Sequence, residues 1–218
     1  MRNFMLILAA PALIAAPALA QVQNLGFEIG VGNIPASWIT TPVAGRAQSI
    51  TNPVGTTVTP CAGRWFGFAS FGAGATGDPG SLTQTAFLAK GDKVRGCVGF
   101  LGGDYAPFDD QGYFSVFDGN VKTNIFASGI VTSPGGIWGA PPVGDYGWTG
   151  WLYWEYTATL SGAHTFELGA FNQGDNVLAS WAVLDTFVPE PGTWAMMITG
   201  FGLVGLAARQ RRRRFAQA

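Results

Sequence analysis

Charge is scarce in this chain. Only 11% of its 218 residues are Asp, Glu, Lys or Arg, against about 25% in an ordinary soluble domain. Outside the two ends, no long segment combines a helical hydrophobic period with caps. Histidine occurs once, as His164, and a single histidine on an alternating strand reads as a packed or surface residue. Cys61 and Cys97 stand far apart in the sequence, so there is neither a C-x-x-C redox pair nor a zinc array. No serine sits in a G-x-S-x-G elbow. Nothing in the linear order sets two carboxylates across a cleft, as glycoside hydrolysis requires. The chain is accordingly expected not to be an enzyme.

The two ends hold what the middle lacks. After Arg2, the stretch FMLILAAPALIAAPALA is apolar and closes on Ala18-Leu19-Ala20. That is the form of a secretory signal peptide over residues 1–20, with the mature chain starting at Gln21. Export places Cys61 and Cys97 in an oxidising compartment, where they are expected to form a disulfide. Near the other end, residues 192–208 carry no charge, and arginine fills position 209 and positions 211–214. Seventeen residues are at the short end for a membrane span. The basic block beside them is a cytoplasmic flank, which puts the body outside.

Two other readings of this end fail on context. Gly200, Gly202 and Gly205 spell G-x-G-x-x-G, but the strand before it and the acidic residue after it are missing. In an apolar span the glycines are close-packing positions. The arginine run does not mark a nucleic-acid partner either. Between Gln21 and Val188 the chain has six basic and twelve acidic residues, and an acidic body repels nucleic acid.

Between the ends, β-type segments recur among Gly, Pro, Asn and Asp clusters: RWFGFASF, SLTQTAFL, KVRGCVGFL, GYFSVF, WTGWLYWEYTATL, HTFELGAF and VLASWAVLDTFV. In HTFELGAF, Phe166, Leu168 and Ala170 alternate with Thr165 and Glu167, the pattern of an antiparallel sheet wet on one side. The prediction is an all-β fold, a single antiparallel β-sandwich over residues 21–187, with a signal helix before it and a transmembrane helix after it. In WTGWLYWEYTATL, Trp148, Leu152, Trp154 and Tyr156 are expected on one face and Trp151 and Tyr153 on the other. One set is core. Trp151 and Tyr153, with Trp138 in the long loop TSPGGIWGAPPVGDYG, become sugar-stacking rings if they are exposed and core if they are covered. Asp104, Asp109 and Asp110 form an acidic loop that suits calcium or a solvated turn.

Two resemblances add to this reading. Pro189-Glu190-Pro191, Trp194-Ala195 and the arginine block, within residues 188–214, resemble a PEP-CTERM sorting signal of the PEPxxWA subtype. The motif occupies 189–191, the span 192–208 and the basic tail 209–214. The resemblance implies processing by an exosortase in a Gram-negative host. The body would be held at the inner membrane on its periplasmic side, then passed to the cell surface or matrix and associated with exopolysaccharide or biofilm. Two prolines keep the box out of helix and strand, so it stays extended beside the bilayer. More weakly, NLGFEIG at the start and VLASWAVLDTF at the close resemble the first and last strands of galactose-binding-like carbohydrate-binding jelly rolls. That likeness implies a structural calcium site drawing on Glu28 and Asp185, which are otherwise plain strand-end carboxylates. The expected function is a non-catalytic envelope or matrix protein. The alternative is a module that recognises one glycan, and a glycan-active enzyme ranks behind both.

Overall fold

The computed structural model describes residues 22–71, 79–173, 175, 177–186, 199 and 201–202. The signal peptide, the start at Gln21 and most of the span 192–208 lie outside the described residues. Among the described residues, no helix is long and apolar enough to cross a membrane. The strands, in chain order, are β1 (Gly30–Val31), β2 (Ile34–Pro35), β3 (Ile39–Thr40), β4 (Ala44–Ala47), β5 (Ile50–Thr51), β6 (Thr57–Val58) and β7 (Phe66–Ser70). They continue as β8 (Gly80–Leu88), β9 (Lys93–Leu101), β10 (Gln111–Asp118), β11 (Val121–Gly129), β12 (Leu152–Thr157), β13 (Gly162–Phe171) and β14 (Trp181–Asp185).

Two five-stranded sheets make the sandwich. Sheet 1 has the order β11-β10-β13-β8-β3 and sheet 2 the order β12-β9-β14-β7-β4. Every neighbouring pair is antiparallel. From β7 to β14 the chain changes sheet at every connection except the β10–β11 hairpin, and it also crosses between β3 and β4. This winding is a jelly roll, as the sequence predicts.

Alternation explains sheet 1. In β8, Leu82, Gln84, Ala86 and Leu88 are buried while Thr85 and Phe87 are exposed. In β13, Phe166, Leu168 and Ala170 face inward and Thr165 and Glu167 are less covered. Between the sheets Phe114 lies 4.7 Å from Trp154 and 6.4 Å from Phe166, centroid to centroid, and Tyr156 meets Phe166 edge-on at 6.0 Å.

Sheet 2 departs from simple alternation because its outer face is covered as well. Val58, Phe66, Leu101 and Val183 form a second core there, with Ile50, Phe68, Trp148, Trp151 and Trp181 packed against it. The β5–β6 hairpin lies over this face. Asn52 anchors it by donating to the carbonyls of Gly102 (3.0 Å) and Tyr146 (2.8 Å). Cys61, just beyond the hairpin, is disulfide-bonded to Cys97 of β9, with Cα atoms 6.5 Å apart.

Two sequence expectations change, and one strand has no counterpart among them. Trp148 does not share a face with Trp154: it packs perpendicular to Trp151 at 5.7 Å, in the outer core. The strand begins only at Leu152, because Gly150 at φ +73° breaks the alternation. The opening NLGFEIG is a turn rather than a first strand. Asn24 and Phe27 take φ of 50° and 55°, and the Asn24 amide clamps the turn through Ile29 and the Ala36 carbonyl. Finally, β11 has no period of two to read. Its first residues are largely exposed and its last five are buried.

The disulfide closes a loop of 36 residues, worth about 4 kcal/mol in the chain-entropy account. The Cys61→Ala, Cys97→Ala double variant is expected to melt roughly 8–15 °C lower by differential scanning calorimetry. A drop under about 2 °C would assign the stability to the outer tryptophan layer instead.

Candidate functional site

The open side of the sandwich lies where the edges of the two sheets meet, β12 of sheet 2 and β11 of sheet 1. The loop after β11 runs along that edge. Ile137 and Trp138 donate their N–H groups to the carbonyls of Asn124 (3.1 Å) and Ile125 (2.7 Å), and Val143 donates to Gly129 (2.9 Å). This backing leaves a groove of about 270 Å³ lined by Asp118, Val121, Thr123, Ile137, Glu155, Tyr156, Thr157, Thr159 and Leu160. Its lining mixes hydroxyls and carboxylates with apolar side chains, of which Val121, Ile137 and Leu160 are more than half exposed.

Two carboxylates set its polarity. Glu155 binds Lys93 Nζ at 2.7 Å and Arg95 Nε at 2.6 Å. Its hydrogen bonds to these two cations hold its carboxyl below the usual range, so it is anionic at neutral pH. The ion pairs are exposed and add little stability; they fix the orientation of Glu155. Asp118 Oδ2 accepts from Thr159 Oγ1 (3.2 Å) and lies 3.5 Å from Nε2 of the fully buried His164. The other ring nitrogen of His164 is 3.0 Å from the Gly162 carbonyl, which makes it a packed residue behind the groove.

The predicted sugar-stacking rings separate into two groups. Trp138 is 41% exposed and its Nε1–H points at the Glu155 carbonyl (3.4 Å). Tyr153 is 43% exposed, two residues before Glu155 on the outward face of β12. Trp151 belongs elsewhere. It donates to the Thr59 carbonyl (2.9 Å) and packs edge-on against Phe66 at 5.8 Å. Sequence reasoning missed Asp118 and Glu155, although the Asp118-Gly119 pair was a hairpin signal.

Glu28 and Asp185 do come together, at the loop that follows Cys61. Glu28 Oε1 accepts from the N–H groups of Arg64 (2.6 Å) and Trp65 (3.1 Å). A Cβ on Gly63 would stand 2.1 Å from that oxygen, so glycine permits the approach. Asp185 accepts from Ala62 N–H (3.0 Å) and Thr186 N–H (2.7 Å). Burial pushes the Asp185 carboxyl up to about 7, and the charge of Glu28 adds to this. The loop offers N–H donors where calcium needs oxygens, so the residues around this pair do not fit a calcium ion. Asp109, in the other acidic loop, is fully engaged. Its Oδ1 accepts from Val131 N–H (2.7 Å) and Thr132 N–H (3.0 Å), and its Oδ2 from Gln111 Nε2 (3.0 Å) and the Thr132 hydroxyl.

β14 ends at Asp185, and the segment holding Pro189-Glu190-Pro191 and Trp194-Ala195 follows at once. Residues 187–213 are a PEP-CTERM protein-sorting motif. The motif marks an exosortase substrate: an exported protein that is anchored in a membrane and then cleaved. Pro189, Glu190, Pro191, Trp194 and Ala195 themselves lie outside the described residues. No curated protein matches the chain. Among solved structures it is similar to the module TmCBM61 in complex with β-1,4-galactotriose, at 15% identity and TM-score 0.42, over 76% of this chain and 94% of that one. It is also similar to the enzymatically active domain of tailspike protein 4 from bacteriophage CBA120, at 13% identity and TM-score 0.36, over 78% of this chain but 21% of the phage chain. At such scores neither likeness carries a ligand or a site across.

The raised pKa of Asp185 has a direct consequence. Stability from its neutral form is fully present below its ordinary value of 3.8 and is lost as pH rises through about 7. In the presence of chelator the melting temperature is expected to fall between pH 5 and 8. Asp185→Asn, which cannot ionise, should flatten that slope; an unchanged slope would assign it to another group.

Proposed function

We propose that this chain is a non-catalytic exported protein whose sandwich works in the extracellular polysaccharide matrix after an exosortase has removed its anchor. The sorting motif at 187–213 carries this reading, because it commits the sandwich to the outside. On this reading the body passes from the periplasmic side of the inner membrane to the cell surface or biofilm, and its partners are the exosortase and the host's exopolysaccharide.

A second, narrower reading is a module for one specific glycan, and the groove favours it. Flat rings at an edge stack on sugar faces while hydroxyls and carboxylates orient the sugar. Thr123, Thr157, Asp118 and Glu155 line the groove, and the exposed ring of Trp138 stands next to it at the Glu155 carbonyl. A catalytic role fits less well. An acid catalyst needs a raised pKa, and Lys93 and Arg95 hold Glu155 in the opposite direction.

The C-terminus of the native protein, measured by mass spectrometry in hosts with and without the exosortase, tests the first reading. Everything beyond the Pro189-Glu190-Pro191 region should be missing only when the enzyme is present. An intact tail in both hosts would leave a plain anchored surface domain. Affinity electrophoresis in host exopolysaccharide tests the second. Trp138→Ala should weaken retention roughly three- to tenfold, whereas Trp151→Ala should lower the melting temperature and leave retention unchanged. Equal retention of wild type and Trp138→Ala would remove the groove from the account.

A further inference from the structure

The other two aspartates of the acidic loop present a different problem from Asp109. Asp104 and Asp110 are 1% and 0% exposed. Asp104 accepts at Oδ1 from the Tyr105 N–H (2.8 Å), and Asp110 accepts at Oδ2 from the Ser180 hydroxyl (2.5 Å), with the Gln173 N–H also turned toward the Asp110 carboxylate. Asp104 Oδ2 and Asp110 Oδ1 are buried with no hydrogen-bond partner, and so are both polar atoms of the Asn172 amide. A bare buried carboxylate oxygen is costly, and two in one place repel each other. The same loop satisfies Asp109 at both oxygens, so it is able to supply donors where none are left over for another purpose.

The segments that carry these three side chains meet. Ser180 Oγ donates to Asp110 and accepts from the N–H of Gly103 (2.9 Å), the residue before Asp104. The Asp109 N–H donates to the carbonyl of Gln173 (3.0 Å), the residue after Asn172. Asp175 adds a third negative charge that acts on both Asp104 and Asp110. The locus joins the β9–β10 connection to the β13–β14 connection, and each of these crosses from one sheet to the other.

We propose that Asp104, Asp110 and the side-chain oxygen of Asn172 bind a calcium ion that ties these two connections together. The donors are all oxygens, which selects a hard cation over zinc or copper. Their irregular mix of carboxylate and amide suits calcium, which accepts backbone carbonyls and water as its remaining ligands, better than the strict octahedron of magnesium. Among the described residues no three Asp, Glu, His or Cys side chains stand close enough to share a metal. The site therefore has two anionic ligands, and its affinity falls on the order of 10⁻⁴–10⁻³ M, the range of extracellular modules. The ion pairs the orphaned oxygens and cancels the repulsion between them. This inference does not depend on the glycan reading.

The test uses the full chain, stripped with chelator and titrated with terbium and then calcium. Tyr105 follows Asp104 directly and its ring lies 5.8 Å from that of Tyr146, so excitation of the tyrosines should sensitise bound terbium. We expect saturable terbium luminescence that calcium displaces, and a rise in melting temperature of roughly 3–10 °C at about 10 mM calcium. Asp104→Asn and Asp110→Asn should each weaken binding about tenfold or more, and Asp185→Asn should leave it unchanged. Far-UV circular dichroism checks that each variant folds. Where an aspartate variant does not fold, Asn172→Ala decides: weaker binding supports the site and unchanged binding overturns it. No saturable signal in the wild type, survival of the signal in both aspartate variants, or its loss in Asp185→Asn alone would also overturn it.

Discussion

Sheet 2 is packed on both faces, and the rest of the molecule is arranged around that double burial. Val98 and Phe100 of β9 and Leu184 of β14 face the core between the sheets, while Leu101 and Val183 face the outer layer of Phe66, Trp148 and Trp151. A strand buried on both sides must satisfy its backbone in the sheet and its side chains in two apolar layers. That requirement brings the β5–β6 hairpin over sheet 2, and the disulfide from Cys61 to Cys97 holds it there. It also leaves β12 as an edge strand, and an edge strand is what the groove is built on.

The buried polar groups follow from the same packing. Closing the ends of the sandwich over two cores brings carboxylates into places that water does not reach. The fold answers most of them. Glu28 and Asp185 accept backbone N–H groups from the loop after Cys61, and Asp109 accepts from the segment that follows β11. Arg46, itself buried, spans the opening turn by donating to the carbonyls of Phe27, Glu28 and Gly32 while its guanidinium stacks on Trp65. The exceptions, Asp104 and Asp110, are therefore set apart by contrast with their neighbours, since a buried polar group without a partner is rare in a packed protein.

Much of the sheet structure was legible because alternation survives where one face is wet. SLTQTAFL and HTFELGAF became β8 and β13, the second with its expected face inward. VKTNIFASG escaped notice because the loop after it buries its last five residues, which erases the period of two. Trp148 was placed on the wrong face because a period counts residues and cannot see the turn at Gly150. Trp138 and Tyr153 stood out as rings, but the groove residues Asp118 and Glu155 did not stand out beside them. Asp118, Trp138 and Glu155 are more than 15 residues apart in sequence, and it is the fold of the loop after β11 that sets Trp138 against Glu155.

The sequence by itself carries the sorting signal of this protein. An apolar run closing on A-x-A, and a Pro-Glu-Pro box ahead of an uncharged span and an arginine block, are linear strings. Membranes and processing enzymes read such strings locally, so they need no fold to be meaningful. The tertiary structure decided which rings are exposed and which carboxylates lack a partner. Trp138 and Trp151 are alike in sequence and placed differently, one 41% exposed beside Glu155 and one bonded to Thr59 next to the hairpin. Asp109 and Asp110 are adjacent, yet only Asp110 keeps an unpaired oxygen. The physical reason is that exposure and hydrogen-bond satisfaction are set by residues distant in the chain, which no local pattern records.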